Sequence, residues 1–330
     1  MTDLITILKQ HQQKYPLMQR TDALKLIYQH SMGAGHMIPS PERSLAYLQQ
    51  ECSELTFEDP TGVEPIGNGR VRLYLSEILR KGYSPELINK LFVLCANRPT
   101  NREDLLKNLA LLEPYTDLTD YYQADCPAVR HSQAYRDAYH PAYRVMDEDC
   151  TRVLPLLDAL DKAPKPLTIA IDGMAGAGKT TLAALLSQLF DCSIVHMDDF
   201  FLPFELRTPQ RLAQPGGNVH YERILTDVIP HLGMEFSYPV FDCSDGTMDN
   251  NQAVKPADII IIEGSYSMHP ALQHIYDLTV FLQVSPEEQA RRIRKRNGEE
   301  MLKMFQNRWI PMESQYHEHY QIREKADYIF

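Results

Sequence analysis

The 330-residue chain has six cysteines but no C-x-x-C pair; Cys52, Cys95, Cys126, Cys150, Cys192 and Cys243 are scattered along it. That spacing excludes a zinc ribbon or a disulfide-framed secreted domain and leads us to expect six reduced thiols. No stretch approaches the roughly 18 to 20 apolar residues of a membrane span. The opening Met1-Thr-Asp-Leu-Ile-Thr6 lacks the blocks of a secretory signal, so a cytoplasmic location is expected. Excess positive charge is also missing. With 33 Lys and Arg against 44 Asp and Glu, the net charge of −11 argues against a general nucleic-acid or membrane-surface binder. There is no internal repeat and no low-complexity tract. An ordinary globular composition is left, 44% hydrophobic and 23% charged, with length for two domains. An oligomeric state is not legible.

The tract Asp161-Lys-Ala-Pro-Lys-Pro166 reads as a linker between halves of different character. Residues 1–160 are mostly helical in pattern. Ser40-Pro-Glu-Arg and Ser84-Pro-Glu-Leu each pair an N-cap Ser with Pro at the first helical position, and Thr100-Asn-Arg-Glu103 reads as a capping box. Residues 167–330 alternate instead. Strands are predicted at 167–171, 193–197, 258–262 and 278–284, and helices near 179–190, 221–231, 286–296 and 299–320, with Ser285-Pro-Glu-Glu288 as another box. The expected fold is an α/β domain with a mainly parallel sheet covered by helices, preceded by a mainly α-helical domain.

Between the first of those strands and its helix stands Gly173-Met-Ala-Gly-Ala-Gly-Lys-Thr180, a complete G-x-x-x-x-G-K-[ST] loop. Its glycines let successive N–H groups face phosphate oxygens, and the helix N-terminus adds partial positive charge. Residues Gly173, Met174, Ala175, Gly176, Ala177, Gly178, Lys179, Thr180 and Thr181 are therefore the candidate ATP-binding set. Lys179 would reach the β/γ-phosphates and the Thr180 hydroxyl would ligand Mg²⁺.

Two further strands run into acids: Ile194-Val-His-Met into Asp198-Asp199, and Ile259-Ile-Ile-Ile into Glu263. Ligands of open parallel sheets bind beyond the carboxyl ends of the strands, so these acids can hold Mg²⁺ or take a proton from an acceptor hydroxyl. Taken singly, each is equally well a turn or cap residue. The densest basic run, Arg291-Arg-Ile-Arg-Lys-Arg296, leads into Asn297-Gly298. It fits either a solvated helix face or an arginine lid over a triphosphate.

From Leu167 onward the chain resembles the uridine kinase/phosphoribulokinase family of P-loop kinases. The stretches that carry the resemblance follow in order: the loop at 173–180, Met197-Asp-Asp-Phe-Phe201, Pro239-Val-Phe-Asp242, Ala257-Asp-Ile-Ile-Ile-Ile-Glu-Gly264, the Arg291 run and Lys325-Ala-Asp-Tyr-Ile329. The resemblance implies a small-molecule kinase in which Asp198 deprotonates the acceptor hydroxyl. Thr180, Asp198 and Glu263 would surround Mg²⁺, and Arg291 through Arg296 would form the lid. Acceptor contacts would fall to Asp199, His220, Tyr221, Arg223, Phe241 and Asp242. Departures stand beside these matches. His220 occupies the place of a ribose-gripping Asp in uridine–cytidine kinases, Phe241 that of a Tyr, and Gly246 that of a base-reading His. Loss of three polar readers points to a different acceptor. His220, with Arg211 or Arg223, would suit an anionic one.

Residues 1–160 carry three clusters with no nameable chemistry: His30-Ser-Met-Gly-Ala-Gly-His36, Ile66-Gly-Asn-Gly-Arg-Val-Arg72, and Arg130-His131 through Arg144. Each fits an anion or metal site, or the packing of a helical domain. Rival readings for the whole chain are a true nucleoside kinase and a nucleotide-dependent regulatory or binding protein.

Overall fold

The computed structural model describes residues 4–56, 59–242 and 245–330, in two compact units, Met1–Asp161 and Lys162–Phe330. Cys243 lies outside the described residues.

The first unit is mainly helical, as expected, but contains an antiparallel sheet that the sequence reading missed. Its strands β1 (Val63–Gly67), β2 (Arg70–Tyr74) and β3 (Tyr143–Asp147) pair in that order. The Ile66–Arg72 cluster is the hairpin itself. Asn68 and Gly69, at φ 54 and 66, make the two-residue turn, and left-handed conformation at both positions is what an Asn-Gly hairpin turn supplies. Ser40 accepts from the Arg43 N–H at 3.3 Å and Ser84 from the Leu87 N–H at 3.0 Å, starting the helices Pro41–Glu54 and Pro85–Ala96. The expected Thr100 box is corrected, since the cap is Asn101, whose Oδ1 accepts from the Glu103 N–H at 2.9 Å. Leu24, Ile27, Leu105, Leu109 and Tyr121 form one apolar core. Helix Leu154–Lys162 runs two residues into the tract read as a linker.

In the second unit the strands are β4 (Leu167–Gly173), β5 (Cys192–His196), β6 (Phe236–Val240), β7 (Asn250–Val254), β8 (Ile259–Glu263), β9 (Leu278–Leu282) and β10 (Tyr328–Ile329). Five of them form a parallel sheet of order β10-β9-β4-β8-β5, and β6 and β7 make a separate antiparallel pair. Every residue of β8 is buried, as a strand covered on both faces must be. The stretch 221–231 is helical but irregular, passing from α through a wide π turn to a 3₁₀ turn at Pro230. Gly298, at φ 83, breaks the helical segment Pro286–Met304 just after the basic run. Parallel register sets the carboxyl ends of β4, β8 and β5 side by side, with Ile171 opposite Glu263 and Glu263 opposite His196.

Candidate active site

β4 delivers the chain into the phosphate-binding loop through Gly173, at φ 136, where an added Cβ would lie 2.1 Å from the Leu282 carbonyl oxygen. Only glycine fits there. Gly178, at φ 105, turns the chain into the helix Lys179–Leu189. The first N–H groups of that helix have no acceptor a turn behind them, so they and the helix dipole form an anion cradle. The Met174 N–H donates to the Leu282 carbonyl and the Ala177 N–H to the Met174 carbonyl, both at 3.0 Å. The Lys179 ammonium arches back over the loop, donating to the Gly173 and Met174 carbonyls at 2.7 and 3.1 Å.

Facing the loop is a small set of polar groups at the strand ends. The Thr180 hydroxyl donates to Glu263 Oε1 and Oε2 at 3.1 and 3.3 Å. His196 Nδ1 lies 2.6 Å from the same Glu263 Oε1, and this bond raises the imidazole above its ordinary value. Asp198 stands in the short turn Met197–Phe200. It keeps contact with solvent, yet the protein crowded around it raises its carboxyl, with Lys179 opposing and Glu263 and Asp199 adding to the rise. A raised carboxyl is a stronger proton acceptor once ionised. Thr180 and Glu263 are hard oxygen donors of the kind Mg²⁺ takes, and the loop's donors suit a triphosphate. The sequence reading missed His196, although it occupies the same strand-end position that drew attention to Glu263.

The proposed acceptor residues are dispersed in role. Asp199 accepts from the Tyr238 hydroxyl at 2.8 Å, and its carbonyl accepts from the Phe241 N–H at 3.0 Å, so it ties β6 to the Asp198 turn. The His220 N–H donates to the Phe200 carbonyl at 2.8 Å, which seats this histidine beside that turn. Burial lowers the His220 pKa, and its Nδ1 is buried with no partner among the described residues. Tyr221 stacks on His269, with ring centroids 4.3 Å apart, and under the Arg211 guanidinium. Arg211 is held in a two-pronged pair by Glu222 at 2.7 and 2.9 Å, and Arg223 pairs with Asp227 at 3.0 Å. Each arginine is thus paired with a carboxylate, while Arg223 Nη1 is buried with no partner among the described residues. Phe241 is buried edge-on to Phe204, with Arg207 over both rings. At Gly246, φ 80, an added Cβ would meet the exposed Phe204 ring at 2.7 Å, so a larger residue needs that ring to move. Asp242 closes a turn, its carbonyl accepting from the Gly246 N–H at 2.8 Å.

In the basic run the arginine that reaches the loop is Arg292, not Arg291 or Arg296. Its guanidinium donates to the Gly176 and Ala177 carbonyls at 3.1 and 3.3 Å and to Glu288 at 2.7 Å. Arg291 is exposed and pairs with Glu288, while Arg296 bonds to Asn297 at 2.7 Å. Glu288 thus serves the two arginines, leaving the Ser285 cap one-sided: Ser285 accepts from the Glu288 N–H at 3.3 Å. The three clusters of the first unit are tie points. His30 Nδ1 meets the Ile66 carbonyl at 2.8 Å, His131 bridges Asp22 and Tyr143 at 2.7 and 2.6 Å, and Arg144 grips Glu51 at 3.0 Å twice. Cys95 and Cys150, far apart in sequence, come together with Asp147, which pairs with Arg98 at 2.7 Å.

No family model matches the chain. Over 143 residues it is 28% identical to the uridine kinase of Ligilactobacillus salivarius (strain UCC118), a match over 40% of this chain and 65% of that enzyme. Over 136 residues it is 32% identical to nicotinamide riboside kinase 1 of Rattus norvegicus, over 39% of this chain and 65% of that enzyme. The chain therefore spans just under two thirds of the length of these curated relatives. A solved structure described as a possible uridine kinase from Bacillus stearothermophilus is similar at a TM-score of 0.40 and 22% identity, over 53% of this chain and 99% of that one.

Proposed function

We propose that the second unit is a P-loop kinase domain of the uridine kinase type and that it transfers the γ-phosphoryl group of ATP to a hydroxyl of a small-molecule acceptor. The observation that carries this reading is the convergence of Lys179, Thr180, Glu263 and Asp198 at the carboxyl edge of one parallel sheet. Bound ATP with Mg²⁺ supplies the group to be transferred. Lys179 and the loop N–H groups hold phosphate charge, Thr180 and Glu263 hold the metal, and Asp198 takes the proton of the attacking hydroxyl. Arg292 stands nearest to the loop among the lid arginines and is the first to meet developing charge.

Both relatives are named for a riboside, which keeps a nucleoside acceptor as the second reading. Against it, Phe204 and Phe241 fill the region where Gly246 leaves no side chain, so the base would meet apolar rings instead of polar readers. The test is acceptor-dependent ADP release with nucleosides, sugars and vitamins. An acceptor other than uridine should stimulate it, and uridine should do so poorly. A kcat/KM for uridine of ~10⁴ M⁻¹s⁻¹ or more would be ordinary enzyme efficiency and would reinstate the nucleoside reading.

A further inference from the structure

Behind the phosphate-binding loop, the helix Ile310–Tyr320 presents Glu313, Tyr316 and His317 on one face, at the i, i+3 and i+4 spacing that brings side chains together. Glu313 is buried. Its Oε2 accepts from the Ala175 N–H at 2.9 Å and its Oε1 from the Ser265 hydroxyl at 2.7 Å. The Ala175 carbonyl in turn accepts from Gln289 at 2.9 Å, so this one residue of the loop is gripped through both of its peptide groups. Next to it, fully buried Asp172 accepts from the N–H groups of Gly173 at 2.7 Å, Tyr266 at 3.2 Å and Met268 at 2.9 Å, and from the Tyr316 hydroxyl at 2.9 Å. Tyr266 is held at φ 74, a left-handed conformation that a bulky residue keeps only when its surroundings enforce it. Two buried carboxylates thus lock the base of the loop, the turn after β8 and a helix some 140 residues downstream into one frame.

Resting on the kinase reading above, we infer that Glu313 is a positioning residue for nucleotide binding. It touches no reacting atom; it fixes the Ala175 N–H so that the N–H groups of Gly176 and of Gly178 to Thr180 converge on phosphate before the nucleotide arrives. A loop set in advance spares the ordering cost at binding, and it loses affinity when released. Sequence periodicity gives no hint of this role, because Glu313 is one acid among the mixed aromatic and polar residues of its helix.

The experiment compares ADP·Mg²⁺ binding by calorimetry, together with steady-state KM values, for the full chain and for Glu313→Ala, Glu313→Gln and Ser265→Ala. Glu313→Ala should weaken ADP binding about tenfold or more, as loss of a charge-assisted hydrogen bond does. It should raise KM for ATP and leave KM for the acceptor unchanged. Glu313→Gln keeps an acceptor for the Ala175 N–H and should recover part of the loss, and Ser265→Ala should show a smaller loss of the same kind. If Glu313→Ala does not fold, the other two variants decide by the same split between the two KM values. Variants that bind ADP as tightly as the parent, or that change both KM values alike, overturn the inference. A parent chain that binds no ADP overturns the kinase reading, and with it this one.

Discussion

Each unit buries a carboxylate among polar side chains, and the two sites are finished differently. In the first unit Glu64 accepts from Lys14 at 2.6 Å, from Tyr15 at 2.5 Å and from Arg72 at 3.3 Å. Arg72, 1% exposed, passes on to Gln29 at 2.9 and 3.1 Å, and Gln29 to Tyr143 at 3.1 Å. Burial alone would raise the Glu64 carboxyl, yet Arg72 and its other partners hold it at about 2. None of these atoms is among the unpaired buried ones, so the network is complete. In the second unit Glu263 has Thr180 and His196, Lys179 rests on backbone carbonyls, and His220 Nδ1 and Arg223 Nη1 are buried without partners among the described residues. A polar network that closes on itself holds a fold together. One left open at the ends of parallel strands has donors and acceptors to spare for a ligand.

The largest effect that sharpens this contrast is expected from Arg72→Met. It removes the buried cation and leaves only the largely exposed Lys14 to balance Glu64, at a cost of up to about 3–5 kcal/mol. Urea unfolding followed through the first unit measures it, and Arg72→Met with Glu64→Gln should recover part of the loss. Unchanged stability in the single variant would mean the closed network is not structural. Lys179→Ala should leave the urea midpoint near that of the parent and cut turnover about 10²–10³-fold, as losing one preorganised charge stabiliser does. Near-normal turnover would remove Lys179 from the phosphate site.

A smaller effect separates the two regions by pH. Burial, with Arg211 adding to it, lowers His269 to about 4 from an ordinary 6.5. The unfolded chain takes up that proton first, so the stabilisation is full above about pH 6.5 and is lost as pH falls towards 4, by up to about 3 kcal/mol. The Glu64 contribution is full above about pH 4.5 and is lost towards 2. His269→Gln should shrink the loss in the upper window, which buried His131, lowered to about 3, also shapes, and Glu64→Gln that in the lower one, in urea titrations across both. If either variant alters the other window, the assignment of these groups is wrong.

The sequence made the second unit legible because its chemistry is local. The residues Gly173 to Thr180 are contiguous, Glu263 ends an apolar run, and Asp198 follows another whose strand pairs in parallel beside it. What stayed hidden depends on chain segments meeting from a distance. Glu313 reaches Ala175 from 138 positions away, and Arg292 was indistinguishable from Arg291 until helix phase put one on the loop and the other in solvent. The β-sheet of the first unit was hidden for the same reason. β3 follows β2 after some 70 residues of helix, and its burial on both faces removes the alternation that marks a strand.

The central claim is that the open network performs phosphoryl transfer, with Asp198 acting on the acceptor. Single-turnover transfer of a labelled γ-phosphate to the best acceptor, measured beside ATP affinity in Asp198→Asn, tests it most directly. The substitution keeps the shape and removes the base. Transfer should fall about 10²–10⁴-fold while ATP still binds within about tenfold. Transfer that persists with only a small loss would contradict the account and leave Glu263 as the essential acid.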